Sequence, residues 1–387
     1  MTARKALLWT VLLLLLPAVT LSAFDWGVVL DNNSTLTFTE GEDADNDQRN
    51  KVSLWGEHFW ADAADTQYTL TFNGYFLYDY TSEPEDEIIA VNPDLIRLKV
   101  KKAGLFDDKA VLDASIGRFR FSDPSALVLS HTADGASAQI DYGSVIVKAA
   151  AGYTGLQLKP EASVNMSAAD AADDADDDVY FAPKRIFEQA EIVLPALIER
   201  QRFTLSGLLQ QDLRDEGDKL DSLHIVGAAN GELTKGLYYN ATGAVAMNLS
   251  DDLSGFMAAG SLYYFSEELY YSRVSGGVLY ADEDFFSVSP PTLGLVYAPA
   301  IADLTRISFD YSLRPWGDRV TPGLANLQFA AGGKIFMPAG EYAGTELEGG
   351  VKIKPTSDFG ASVKGGVYLP DGGDTAGLLR LEFSIGL

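Results

Sequence analysis

Reading back from the C-terminus in steps of two, Leu387, Ile385, Phe383, Leu381 and Leu379 are apolar, while Gly386, Ser384, Glu382 and Arg380 between them are small or charged. A period of two places successive side chains on opposite faces of a strand, so this segment has one oily face and one wet face. The preceding segment sets Phe359, Ala361, Val363, Gly365, Val367 and Leu369 against Gly360, Ser362, Lys364, Gly366 and Tyr368. The one before it sets Thr345, Leu347, Gly349, Val351 and Ile353 against Glu346, Glu348, Gly350, Lys352 and Lys354. Amphipathic strands separated by turn-rich stretches, among them Asp371-Gly372-Gly373-Asp374, predict a meander. Upstream, Ile307, Phe309, Tyr311 and Leu313 alternate with Arg306, Ser308, Asp310 and Ser312, and Leu327, Phe329, Ala331 and Ile335 with Gln328, Gly332 and Lys334. In the N-terminal half Tyr68, Leu70, Phe72, Phe76, Tyr78 and Tyr80 form one row, and Ile96, Leu98 and Val100 oppose Arg97, Lys99 and Lys101. In the middle, Leu237, Tyr239, Ala241, Val245 and Met247 oppose Asn240, Thr242 and Ala244. Residues 187–200 have a helix-compatible composition, but Ile186, Ala190, Ile192 and Leu194 alternate, which favours a strand.

A soluble β-sandwich or β-helix alternates too. Three features favour a membrane barrel: large apolar residues line one face of nearly every strand, aromatic residues gather toward strand ends, and the last strand runs to Leu387. The aromatic doublets Tyr238/Tyr239, Tyr263/Tyr264 and Tyr270/Tyr271, with Trp55 and Trp60, read as interfacial girdles. The expected fold is therefore all-β, a transmembrane antiparallel up-and-down β-barrel. A spanning strand takes roughly 9 to 11 residues and a strand with its connection about 20 to 24, which suggests about 16 strands within a range of about 14 to 18. A barrel of that size leaves an aqueous lumen.

Arg4 and Lys5, the apolar run 6–19 and the small residues before position 24 read as a secretory signal peptide over residues 1–23, cleaved after Ala23 or Ser22, with the barrel over 24–387. With no Cys there are no disulfides, no thiolate chemistry and no cysteine metal sites. Of the chain's 387 residues 47% are hydrophobic, yet the net charge is −26, which excludes a nucleic-acid partner and electrostatic binding to anionic membrane surfaces. The acid is clustered at 40–47, 83–87, 170–178, 212–218 and 282–284, all read as connections between strands. The run Asp170, Asp173, Asp174, Asp176, Asp177 and Asp178 has three readings: a solvated, self-repelling loop, a Ca²⁺ site, or part of a segment (158–180) folded into the lumen. No other cofactor is expected.

The wet faces carry Arg97, Lys99, Lys101, Arg306, Asp310, Lys334, Glu346, Glu348, Lys352, Lys354, Lys364 and Arg380, the candidate pore-lining set. Catalysis is not expected. Of the three histidines, His58, His131 and His224, only His224 has a nucleophile at strand spacing, Ser222, and Asp221 beside it belongs to the opposite face.

The terminal strand 379–387 resembles the C-terminal recognition strand of bacterial outer-membrane barrels, ending on Leu where Phe is usual. Gly117-Arg118-Phe119-Arg120-Phe121, followed by Asp134-Gly135-Ala136-Ser137-Ala138-Gln139, is similar to segments of porin-type channels. The resemblance implies the outer membrane of a diderm bacterium, a lipid bilayer and the barrel-assembly machinery as partners, and passive passage of ions or small hydrophilic solutes, with oligomerisation open. The competing expectation is a surface adhesin or interaction protein acting through its acidic loops.

Overall fold

The computed structural model describes residues 24–82, 85–105, 109–159, 163–176, 178–214, 219–249, 254–317 and 322–387, and the signal-peptide expectation for 1–23 and Asp177 of the acidic run fall outside them. The elements are β1 (Phe24–Thr39), β2 (Asp45–Ala61), β3 (Gln67–Ser82), β4 (Glu85–Ala103), β5 (Val111–Ser122), β6 (Ser130–Asp141) and β7 (Ile146–Tyr153), then a short helix α1 (Ala168–Asp174). After it come β8 (Arg185–Ile198), β9 (Gln201–Asp212), β10 (Ser222–Thr234), β11 (Leu237–Asn248), β12 (Ser254–Ser266), β13 (Ser272–Ala281) and β14 (Leu304–Leu313). A single helical turn α2 (Pro322–Ala325) precedes β15 (Gln328–Pro338), β16 (Gly344–Ile353), β17 (Phe359–Pro370) and β18 (Ala376–Gly386). No helix among the described residues is long and apolar enough to cross a membrane.

Each strand pairs antiparallel with its sequence neighbours, and β1 pairs with β18, so 18 strands close into one barrel. Closure satisfies every strand's backbone groups within the sheet, which is what hydrocarbon demands. The count is two above the central expectation of sixteen. Two-residue connections at 199–200 and 235–236 pull the repeat toward the short end of the expected range. With an even strand number, the start of β1 and the end of β18 lie at one rim, where Val28 N–H donates to Leu387 O at 3.0 Å.

The alternation sorts the wall as the sequence indicates. Ile307, Phe309, Leu347, Leu205 and Ile116 are exposed on the outer face, while Arg306, Asp310, Lys334 and Glu348 occupy the opposite parity in the same registers. Strands β1 to β4 run 16 to 19 residues, longer than a bilayer crossing needs. They therefore continue past the apolar band, which corrects the assignment of the acid: Asp45 and Asp47 begin β2 and Glu87 lies in β4 rather than in loops. The aromatic doublets are corrected too. Tyr238 stacks on Tyr263 at 5.0 Å with Arg273 over the latter ring, in the row opposite to exposed Leu262 and Tyr264. A strand turns only every second residue outward.

At the terminal rim the 62–66 turn is tied by Asp62, which accepts from Ala64 N–H at 2.8 Å, Thr66 N–H at 3.0 Å and Tyr68 O–H at 3.2 Å. The Thr66 backbone bond leads the effects that hold this exposed carboxyl below its ordinary range. In the porin-like motif, Gly117 (φ +125°) pairs with Gly135, and a Cβ on either would overlap a carbonyl oxygen of the adjacent strand, Ile96 or Ala151 respectively. We expect Gly135→Val to destabilise the barrel by about 1 to 3 kcal/mol through this overlap. The check is the temperature at which the compact form of the detergent-solubilised protein is lost on gels, which should fall, whereas Gly360→Val, open at its Cβ, should leave it in place.

Candidate channel constriction

Opposite the terminal rim, three connections turn into the barrel: 123–129, the described parts of 154–184, and 282–303. They meet each other there. The Val128 carbonyl accepts from Val288 N–H at 2.8 Å and Ser289 N–H at 3.1 Å, and Asn165 N–H donates to Val288 O at 2.9 Å. Ser130 N–H donates to Ser289 Oγ at 2.7 Å, and the Asn165 amide donates to the Ser287 carbonyl. Val128, Leu129, Val164, Phe285, Val288 and Leu293 are buried in one cluster with inward wall residues of β8 to β15, including Phe187, Leu208, Val226, Met257 and Phe336. The interior is thus not uniformly wet. On this side the inner wall is apolar and the loops cover it, a core formed inside the barrel.

Each loop has a charged tether. Asp123 Oδ1 accepts from the backbone of Val128 at 3.0 Å and Leu129 at 2.8 Å, and its Oδ2 from Ser125 N–H at 2.7 Å, closing the first loop on itself. For 154–184, α1 begins at Ser167 in a reciprocal cap with Asp170. The Asp170 carboxylate is buried and takes Arg185 on one oxygen and Arg214 on the other, while Arg185 Nε lies 3.3 Å from Asp212. A fully buried guanidinium is stable only when matched in this way. Asp170 is therefore engaged by arginines, and no group of three or more acidic or histidine side chains converges on a common point among the described residues.

Arg118, the motif arginine, fastens the same loop lower down. It makes a bidentate pair with Asp134 (3.0 and 2.7 Å) and donates to Asn92 Oδ1 at 3.2 Å, Pro93 O at 2.9 Å and Leu156 O at 3.0 Å, joining β4, β5, β6 and the loop. That explains why the motif couples Arg118 to Asp134 across paired strands.

The third loop is held by Glu346. Its carboxylate is buried and accepts N–H bonds from Leu295 and Val296 at 2.8 Å and Tyr297 at 2.9 Å, with Lys334 at 3.1 Å. Lys334 bridges on to Glu348 at 2.8 Å, and Arg306 Nη1 donates to Leu293 O at 2.9 Å. Three candidate pore-lining residues, Glu346, Lys334 and Arg306, are thus occupied in anchoring a loop.

Of the other nine candidates, Asp310, Glu348, Lys352, Lys364, Arg97 and Lys99 line open space nearer the terminal rim. Asp310, Glu348, Lys352 and Lys364 border a cavity of about 480 Å³ beneath Leu295, together with Arg273. Arg97 and Lys99 border another of about 290 Å³ with Asp113, Arg120, Lys148 and Glu191. Arg306 reaches a third of about 290 Å³ beside Pro124 and Leu127. Lys101 shares the inner row with Lys99 and pairs in register with Asp113. Arg380 Nε donates to Thr35 Oγ1 at 3.3 Å. Lys354 follows the end of β16 and lies in the turn at the terminal rim.

Sequence reasoning missed Arg49, Lys51, Lys148 and Arg273 on the inner side. Lys51 carried a usable signal, since it falls in the row opposite Val52 and Leu54. Most wall lysines are neutralised across strands: Lys51 with Asp94 (3.5 Å), Lys99 with Asp113 (2.7 Å), Lys148 with Glu191 (2.6 Å) and Lys364 with Glu382 (3.0 Å).

The histidines serve packing. His224 is fully buried, its Nε2 3.1 Å from the Phe286 carbonyl and its ring edge-on to Phe286, while Asp221 accepts from Asp212 N–H at 2.6 Å. His131 Nδ1 lies 3.3 Å from Ser163 Oγ. Both rings support the internal loops.

No protein-family model matches the sequence, and no curated protein matches it. Solved structures do match in fold. Pseudomonas aeruginosa OccK5 (OpdH) superposes with a TM-score of 0.66 at 12% identity, covering 96% of this chain and 99% of that one. P. aeruginosa OccK2 (OpdF) gives 0.66 at 12% identity over 95% and 98% of the chains. Acinetobacter baumannii OccAB4 gives 0.64 at 10% identity over 95% and 98%. These neighbours belong to the outer-membrane porins, and what this chain shares with them is the architecture of a closed 18-stranded antiparallel barrel.

Proposed function

We propose that the protein is an outer-membrane channel through which ions or small hydrophilic solutes diffuse passively, its bore set by the three internal loops. The carrying observation is the closed 18-stranded wall, lipid-compatible outside and charged inside, narrowed by loops that are anchored to the wall. Apart from 314–327, the connections at the terminal rim have at most seven residues, while the two longest, 154–184 and 282–303, lie opposite; this matches the usual orientation of such barrels, with the terminal rim in the periplasm and the long loops outside.

In this reading a solute first meets an acidic mouth, with Glu40, Glu42 and Asp43 at the β1–β2 turn and Asp282 to Asp284 at the base of the third internal loop. The mouth concentrates cations. The solute then passes the loop cluster and enters a vestibule whose wall carries both signs. Most of those charges cancel in pairs, but among the described residues Lys352 and Arg97 make no ion pair, and both face the cavities. Unpaired wall charge sets ion preference, so the proposed channel is weakly selective, with anions slowed along the basic wall. No catalytic step enters this account.

The test is planar-bilayer recording of the full-length barrel. Discrete conductance steps are expected, and a folded, inserted protein that carries no current would contradict the reading. Lys352→Glu combined with Lys364→Glu should shift the reversal potential in a salt gradient so that the cation-to-anion permeability ratio rises about two- to fivefold. Glu346→Gln should release the backbone amides of residues 295–297, giving at least about tenfold faster hydrogen exchange there and noisier current. Glu341→Gln, exposed in the β15–β16 connection, is the matched control.

A further inference from the structure

The outward row of β1 reads Trp26, Val28, Leu30, Asn32, Ser34, Leu36 and Phe38. Two polar residues interrupt an otherwise apolar row, with Leu30 on one side and exposed Leu36 and Phe38 on the other. Directly opposite on β2, in the same outward parity as exposed Val52 and Leu54, stand Asn50 and Gln48. The outward rows of β14 to β18 carry no amide and no carboxylate. Next to the cluster, Asn32 faces Phe383 and Ser34 faces Leu381 on β18.

The four side chains bond to one another. Asn32 Nδ2 donates to Asn50 Oδ1 at 2.8 Å, Gln48 Nε2 to the same oxygen at 3.3 Å, and Ser34 O–H to Gln48 Oε1 at 2.6 Å. The internal network leaves a surplus. Among the described residues, both Asn50 N–H groups and one N–H each of Asn32 and Gln48 have no acceptor, and the Asn32 carbonyl oxygen, 3.5 Å from Ser34 Oγ, and the Gln48 carbonyl oxygen each keep a lone pair. In hydrocarbon such groups are costly and call for a partner.

We propose that this patch is a self-association surface on which a second copy of the chain packs β1–β2 against β1–β2, about a two-fold axis along the membrane normal. The symmetry keeps both patches at one depth. It brings the spare Asn50 donors of each copy to the spare Asn32 and Gln48 acceptors of the other, while Leu36, Leu381 and Phe383 supply an apolar margin. Neutral amides that both donate and accept are self-complementary in a way that a one-sided charge is not. A lipid headgroup fits less well. The neighbouring cations Arg49 and Lys51 belong to the inner row, leaving no positive charge in the patch for a phosphate, and Leu36 and Phe38 lie between the cluster and the loop-side end of β1.

The chain has no Cys, so a single reporter can be placed beside the cluster without touching it. Leu36→Cys protein, refolded into phosphatidylcholine vesicles at low protein-to-lipid ratio and oxidised with copper phenanthroline, should give a covalent dimer. Ile307→Cys, on the outward row of β14, should not. If Leu36→Cys fails to reach the compact folded form on unheated gels, Leu30→Cys replaces it. Adding Asn32→Leu, Gln48→Leu and Asn50→Leu to the reporter should lower the crosslinked fraction at matched protein density by roughly tenfold or more, with the compact form retained. Equal crosslinking at positions 36 and 307 overturns the proposal. So does a triple variant that crosslinks as well as its parent, or crosslinking that arises only when lipopolysaccharide is added, which would assign the patch to lipid.

Discussion

Everything in this molecule follows from one constraint: a strand in hydrocarbon has no water to bond to, so its N–H and C=O groups must find each other. The β1–β18 pairing meets it by removing the sheet's last two edges. Once the wall is closed, the pleat divides the chain into two parities with opposite solvents. The outer parity takes Ile307, Phe309 and Leu347, and the inner parity takes Arg306, Asp310 and Glu348. A protein that is acidic overall yet close to neutral in mean hydropathy is the expected product of that division.

A closed wall of 18 strands also creates an inside that must be managed. Side chains alone do not fill it, and the structure uses backbone instead. Three loops enter from the rim opposite the start of β1 and lay their apolar residues on an apolar patch of the wall. Buried charge then fixes them in place: Asp170 between two arginines, Glu346 under three amides, and Arg118 across three strands and a loop. Each tether is expensive to break because one partner would be left buried and unmatched. The restricted bore is thus held in a defined shape.

The wall was legible from sequence because its signal is local. A period of two is visible within ten residues, and the strands at 345–353, 359–369 and 379–387 have the faces that the alternation gave them. Strand number was approachable but loosely bounded, since hairpin lengths vary. The interior was not legible. Glu346 is an ordinary wet-face residue by pattern, and its role depends on amides about fifty positions away, at 295–297. Ser130 and Ser289 meet across 159 positions. Asp170 lies in a run of similar aspartates, and nothing local marks it as the one that Arg185 and Arg214 enclose. The motif 117–121 with 134–139 was informative because Arg118 and Asp134 sit in register on adjacent strands, where a pairwise pattern survives in sequence.

The internal loops limit the width of the proposed water-filled path. Swelling of proteoliposomes in iso-osmotic sugars of graded size measures it directly. Rapid swelling is expected with the smallest solutes, with a steep fall as solute size increases and a larger limit when the 282–303 loop is loosened by Glu346→Gln. Folded, inserted protein that admits no solute of any size, or that admits all sizes alike, would contradict it.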